Sequence, residues 1–362
     1  MTVSDRAPAD PAAAVPPSLR FRRPAVRDLA WLVFDGALRL PADSGVLATV
    51  SLDEDEKSEL LGLLAEWDQD SGDNWLGPIE PRLRLGLYTE RLIGAWLRHS
   101  RLIRLVAMNW PLRVNRITAG EADFLVERLG GGTDSLQLWE LACKFYLGVP
   151  GRGWLGPGLN DSLAAKLSRV RSHQLQLIHH AGFRAAWGSN WAARAWISGW
   201  LMEPAEILSH EPDSNEAESN EADANEPESE GLPSSSLAPL SSPQRRIAGV
   251  WAEAGGESIA IAERRARDLG VGEWWLLPKR RWLRPALTDE PVAQRFASLR
   301  DAASFLTQTC ALTGYEAARP LMLAGVPDPG VVPRPALGAE ALRLVLVPAG
   351  WTQRANRMAI KV

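Results

Sequence analysis

Between Glu203 and Glu230 the chain carries eleven carboxylates and no lysine or arginine, and a run rich in Ser, Pro, Leu and Ala follows from Gly231 to Pro243. Within the acidic stretch a five-residue unit recurs as SNEAE, SNEAD and ANEPE between Ser214 and Glu228. So little apolar surface cannot offset the entropy of ordering the backbone. Residues 204–245 are therefore expected to form a flexible linker or expanded loop, with folded blocks on either side at 21–203 and 246–362. Residues 1–20, rich in Ala and Pro and lacking the basic start and apolar centre of a secretory signal, are expected to be a disordered lead-in.

The linker also hides the charge character of the rest. The whole chain has 40 basic and 44 acidic side chains, but without the eleven carboxylates from Glu203 to Glu230, 33 acids face the same 40 bases. A basic folded part permits a polyanionic partner. No run approaches the roughly 18 apolar residues of a membrane span, so a soluble cytoplasmic protein with no membrane partner is expected. Cys143 and Cys310 are far apart and read as reduced thiols. Sixteen tryptophans read first as packing groups, although aromatic rings also stack on unpaired bases.

Apolar periodicity predicts helices over 24–34, 54–68 and 82–99, then strands over 102–110, 112–118, 122–128 and 136–147. A helix follows at 161–181, with Asn160 and Asp161 as cap candidates and Gly182 closing it, and then a strand at 192–202. After the linker the pattern predicts helices at 256–269 and 291–313. It predicts a strand pair or strand-turn at 273–284, and strands at 319–325 and 341–347. The class is α/β, a mixed central sheet flanked by helices, with a smaller C-terminal α/β region.

Two strands carry the chemistry. In GEADFLV (120–126), alternation puts Glu121 and Asp123 on one face. In LWELACKF (138–145), Glu140, Ala142 and Lys144 share a face. If the hairpin pairs these faces, three carboxylates and an ammonium converge. Carboxylate oxygens suit Mg²⁺ or Mn²⁺, and a bound cation can polarise a phosphodiester. Two helical stripes contain one polar group each: Glu90 among Leu83, Leu87, Gly94 and Leu97, and Gln174 among Leu163, Leu167, Val170 and Leu177. Burying either without a partner costs about 1–3 kcal/mol, so both are expected to point into the cleft of Asp123. Lys166, Arg169, His173 and His180 form a basic stripe suited to a nucleic-acid backbone.

This order of residues resembles the PD-(D/E)XK nuclease superfamily, which includes archaeal Holliday-junction resolvases and lambda exonuclease-like enzymes. The chain is more closely similar to a bacterial family of unknown function assigned to that superfamily. The similarity rests on LGLYTERL (85–92), GEADFLV (120–126), ELACKFYLG (140–148), WLGPGLNDSLAAKL (154–167), HQLQL (173–177) and WWLLPK (274–279). The resemblance implies a restriction-endonuclease-like core and a Mg²⁺- or Mn²⁺-dependent phosphodiesterase acting on nucleic acid, with DNA expected ahead of RNA. It implies that Asp123 is the central metal ligand, Lys144 the motif lysine, Glu90 the helix carboxylate and Gln174 the helix glutamine. Asp123, Glu140 and Glu121 would form the metal set. The chain departs from the pattern at Ala142, where the second acid is expected. Glu140 stands two residues earlier, about 6–7 Å along the same strand face. Two alternatives follow: a nucleic-acid-binding protein on the same fold without catalysis, and a Trp-rich protein-interaction module.

Other motifs lead nowhere. Gly151 to Gly156 satisfies G-x-G-x-x-G, but no acid occurs between Asp161 and Glu203 to meet a ribose. His179 and His180 are adjacent on a predicted helix and point about 100° apart, which does not suit one ion. Neither a G-x-S-x-G elbow nor a Walker-type phosphate loop is present.

Overall fold

Helix starts follow local side-chain chemistry. Helix α1 (Pro24–Ala30) opens with a proline, whose missing N–H is no loss in a first turn, and continues through one wider turn, Trp31–Asp35. Helix α2 (Glu54–Gln69) has a reciprocal cap: Asp53 accepts from the Glu56 amide at 2.9 Å, and Glu56 accepts from the Asp53 amide at 3.0 Å. Helix α3 (Leu85–His99) has Arg98 and His99 in its last turn, where a cation meets the negative end of the dipole. The computed structural model describes residues 15–70, 72–80, 82–114, 117–130, 134–209, 249–287, 290–313, 319–328 and 340–358.

Strands β1 (Ile103–Val114), β2 (Ile117–Arg128) and β3 (Leu136–Val149) form an antiparallel meander. The four strands expected between 102 and 147 are thus three. The segment predicted at 112–118 is divided between the end of β1 and the start of β2, because the chain reverses between Val114 and Ile117 rather than near Pro111. A short strand, β4 (Gly153–Leu155), folds back on β3. Helices α4 (Leu163–Arg169) and α5 (Ala181–Trp187) lead to β5 (Ala192–Pro204), which lies parallel to β3.

The single helix expected over 161–181 is therefore corrected. Its cap is Ser162, whose hydroxyl accepts from the Ala165 amide at 3.2 Å. After Arg169 the turns loosen and then tighten, through Val170–Gln174 and Leu175–His179, and His180 takes an extended conformation that ends the run. Gly182 lies inside α5 instead of closing a helix.

The sheet continues with β6 (Gly249–Glu253), β7 (Val271–Leu276), β8 (Arg295–Phe296), β9 (Leu321–Pro327) and β10 (Leu342–Val347), in the spatial order β1-β2-β3-β5-β6-β10-β9-β7-β8. Pairs β3–β5, β5–β6 and β6–β10 are parallel and the rest antiparallel. The parallel pairing of Glu203 with Val250 and of Pro204 with Trp251 joins the strands before the acidic stretch to those after it. Helices α6 (Glu257–Asp268), α7 (Leu299–Thr313) and α8 (Trp351–Arg357) complete the described elements. The region 273–284 is a strand followed by a short 3-10 turn, Lys279–Trp282. β6 and α8 were not anticipated. In the expected lead-in, Leu19 is buried in a short turn. At the start of the expected linker, Ala205 is fully buried. Residues 1–14 and 210–248 lie outside the described residues, and with them most of both segments.

The tryptophans are packing groups. Twelve of the sixteen are buried and the other four are half-buried. Trp96 of α3 packs on Trp139 of β3 and Trp196 of β5, with ring centroids 6.4 and 6.0 Å away. Odd-numbered β3 residues such as Trp139, Leu141 and Phe145 belong to this cluster, whereas Ala142 and Tyr146 pack with Leu163 and Leu167 of α4 on the other face. Among the described residues no helix is long and apolar enough to cross a membrane.

Candidate functional site

The sheet opens where its meander diverges. β2 pairs with β3 only from Leu136 to Trp139, and β4 pairs with it only from Leu147 to Val149. Among the described residues no strand therefore flanks 140–146 on that side. At the mouth of the opening, Asp123 substitutes its side chain for the missing ladder: Oδ2 accepts from the Leu141 amide at 2.8 Å. The neighbouring strand is irregular too, for Asn109 of β1 has φ +53. Asparagine tolerates that left-handed conformation better than most residues. Its amide meets Oε2 of Glu90 on α3 at 3.5 Å.

Register explains the displaced acid. Phe124 pairs with Trp139, and one more step sets Asp123 across from Glu140. Position 142 is instead buried against α4, in a cluster with Tyr146, Leu163, Leu167 and Val170. A carboxylate there would lie under leucines. Glu140 is 2 % exposed. Its Oε1 accepts from Gln174 and lies 3.5 Å from Lys166 Nζ, which also donates to Gln174 Oε1 at 2.9 Å. Its Oε2 is buried and receives no protein donor.

Asp123, Glu140, Glu90 and Gln174 thus come together, with Glu90 on the α3 side and Gln174 on the α4 side. Glu121 is exposed and near enough for its charge to act on Asp123 and Glu90. Lys144 turns to Asp161 at 2.9 Å, with both side chains about two-fifths exposed. The ammonium beside the acid pair is Lys166, expected instead on a basic stripe. Arg169 and His173 are exposed, and the stripe is broken by the change of helix type after Arg169. Asn109 and Asp161 were not expected at the site, while Lys166, expected to meet a nucleic-acid backbone, stands beside Glu140. Only Asn109 left a local signal, as an asparagine inside a strand. The partnership of Lys166 with Glu140 spans 26 residues and two elements, which no local pattern shows.

Burial sets the electrostatics. It raises the carboxyl of Glu90 to about 7, helped by the charge of Asp123. Burial is also the main cause that lifts Asp123 and Glu140 above the usual carboxylate range. The two carboxyls lie within hydrogen-bond reach of each other, so they hold one proton between them more readily than two negative charges. Lys166 is lowered by its own desolvation, against the pull of Glu140.

These acids are raised in the folded state, so their contribution to stability is complete below the ordinary carboxylate range and is lost as pH rises toward 7 and beyond. In EDTA the melting temperature is expected to fall between pH 6 and pH 9. Glu140→Gln should flatten that fall. A profile that Glu140→Gln leaves unchanged would remove the shared proton from the account.

Among the described residues no three His, Cys, Asp or Glu side chains gather closely enough to ligate one ion. The acid pair is a different donor set. Mg²⁺ keeps several waters and is often held by only one or two carboxylates together with substrate phosphates. Asp123 and Glu140 can fill that role once the proton they share has left, and Glu140 Oε2 meets no amide, hydroxyl or ammonium donor. Glu121 does not complete a set of three.

The profile of one protein family, described as Domain of unknown function (DUF1853), matches residues 27–330. No curated protein and no solved structure matches the chain.

Proposed function

We propose that this chain, which belongs to the DUF1853 domain family of unknown function, is a Mg²⁺- or Mn²⁺-dependent nuclease of PD-(D/E)XK type with a restriction-endonuclease-like core. The observation that carries the reading is the pairing of half-buried Asp123 with buried Glu140 at the opening between β2 and β3, where one Glu140 oxygen meets no amide or ammonium donor. When bound there, a divalent cation supplies Lewis-acid polarisation of a phosphodiester and a more acidic water. The protein's own groups do the rest. The Leu141 amide aims Asp123, and Gln174 holds the Glu140 carboxylate in one orientation. Lys166 keeps a positive charge beside the position where negative charge would develop. Glu90, about half-protonated near neutral pH, is suited to give or take a proton.

Binding without catalysis is the second reading, and Ala142 favours it. The Trp-rich interaction surface has less support, because none of the sixteen tryptophans is exposed. The deciding experiment incubates the full chain with single-stranded, duplex and branched DNA, and with RNA, in Mg²⁺, Mn²⁺ or EDTA. Cleavage in a divalent metal and none in EDTA is the expected result. Salt-dependent binding with no cutting in either metal would overturn the nuclease reading in favour of the second.

A further inference from the structure

A cavity of about 650 Å³ lies between the 76–80 segment and α3. Its floor is aliphatic, from Leu76, Pro78, Ile79 and Met108, and its cationic wall is Arg91 and Arg98. The two arginines are seven residues apart on one helix, so they share a face about 10 Å apart. Both are exposed, as is Arg84, one further step toward the helix start. Each guanidinium is only lightly held: Arg91 donates to the Pro78 carbonyl at 2.8 Å, and Arg98 lies 4.0 Å from Met108 Sδ. The one acid in the lining is Glu80, and Arg280 hydrogen-bonds its carbonyl.

The cavity lies on the α3 face of the sheet, where Met108 packs by Gly94 and Phe124, and two of its lining residues are chain neighbours of the Glu90–Asn109 contact. Arg91 follows Glu90 on α3, and Met108 precedes Asn109, the partner of Glu90. Gly94 lets the helix come this close, because a Cβ there would lie 2.7 Å from Met108 Sδ. Adding a side chain there would force the end of the Met108 side chain to move.

We infer that this cavity holds an unpaired nucleic-acid strand. The inference rests on the nuclease-type reading and names its substrate class. The aliphatic floor can take the face of a base, which a duplex keeps inside its stack, while the arginine row meets successive phosphates. Charge complementarity selects a polyanion over an apolar peptide.

The test is fluorescence anisotropy with the full chain in EDTA, using a labelled twelve-nucleotide single strand and the same sequence as a duplex. The single strand should bind more tightly. Replacing both arginines, Arg91→Gln with Arg98→Gln, should weaken strand binding at least tenfold and reduce the salt slope by about 1.4, since each phosphate contact on a single strand contributes about 0.7. Thermal stability should be unchanged. The exposed pair Arg264→Gln with Arg267→Gln on α6 should leave binding intact. Equal affinity for wild type and the Arg91/Arg98 variant overturns the inference. So does a preference for the duplex, or displacement of the strand by poly-glutamate at equal potency. If the arginine pair carries strand binding and no metal supports cutting, the groove stands and the nuclease reading falls. If cutting requires Asp123 while binding ignores the arginines, the groove alone falls.

Discussion

Asp123→Asn is expected to reduce metal-dependent cleavage by a factor on the order of 10²–10³ while leaving the fold intact. The amide keeps the volume and can still accept from the Leu141 amide, but it lacks the charge that a hard divalent ion needs. It also removes a like charge from beside Glu140, so the melting temperature should hold or rise. Glu140→Gln should be nearly as damaging, because Glu140 lies across from Asp123 and is the only other acid of the pair. If Glu140→Gln leaves turnover unaltered, the displaced acid is a bystander and the site is incomplete. The lysines separate in the same assay. Lys166→Ala should suppress turnover strongly, since its ammonium is 3.5 Å from Glu140. Lys144→Ala should have the smaller effect, because Lys144 is held by Asp161. The reverse ranking would restore Lys144 to the role that the resemblance implies for it.

The largest loss of stability is expected from Arg284→Met, about 3–5 kcal/mol in chemical denaturation. Arg284 is 1 % exposed and meets Asp28 at 2.7 Å and Glu290 at 2.5 Å. Arg27, fully buried, also binds Glu290 and donates to the Pro285 carbonyl at 2.9 Å. Tyr88 donates to the other oxygen of Asp28 at 2.7 Å. This network ties α1 and α3 to the segment after β7. Methionine fills the space but leaves Asp28 buried with the Tyr88 hydroxyl and the charge of Arg27 alone, and burial has already raised that carboxyl above its ordinary range. Adding Asp28→Leu should recover more than half of the loss, because the stranded charge goes with it. Failure of the second substitution to recover stability would show that packing, not charge, decides the effect.

The two halves of the site were legible to different degrees. GEADFLV and LWELACKF specify strands by alternation, so the shared face of Glu140, Ala142 and Lys144 follows from a period of two. Glu90 and Gln174 stood out because each interrupts an apolar helical stripe. The stripe was less reliable at its edges: Leu87, counted on the inward face, is 45 % exposed. The resemblance implies Lys144 on the strand as the motif lysine, and a strand's pattern carries no information about a helix that packs over it. The long helix expected at 161–181 failed for a related reason. Apolar period persists through Leu175 and Leu177, but the packing of both against the sheet is served by looser and tighter turns as well as by α-helix.

Local chemistry in the chain determined the element types: caps such as Asp53 with Glu56, strand alternation, and the candidate acids by residue. Tertiary structure decided which groups meet. Register, not sequence distance, set Glu140 opposite Asp123, because a hairpin's pairing depends on where the chain turns and on which faces are buried. The burial of Ala142 under α4 and the placement of Lys166 at the acid pair arise from elements far apart in the chain. So do the continuity of the sheet from Pro204 to Trp251 and the ion pairs between α1 and the 284–290 segment. Such contacts are worth forming only when water has been excluded from both partners at once, and no local stretch of sequence can exclude it alone.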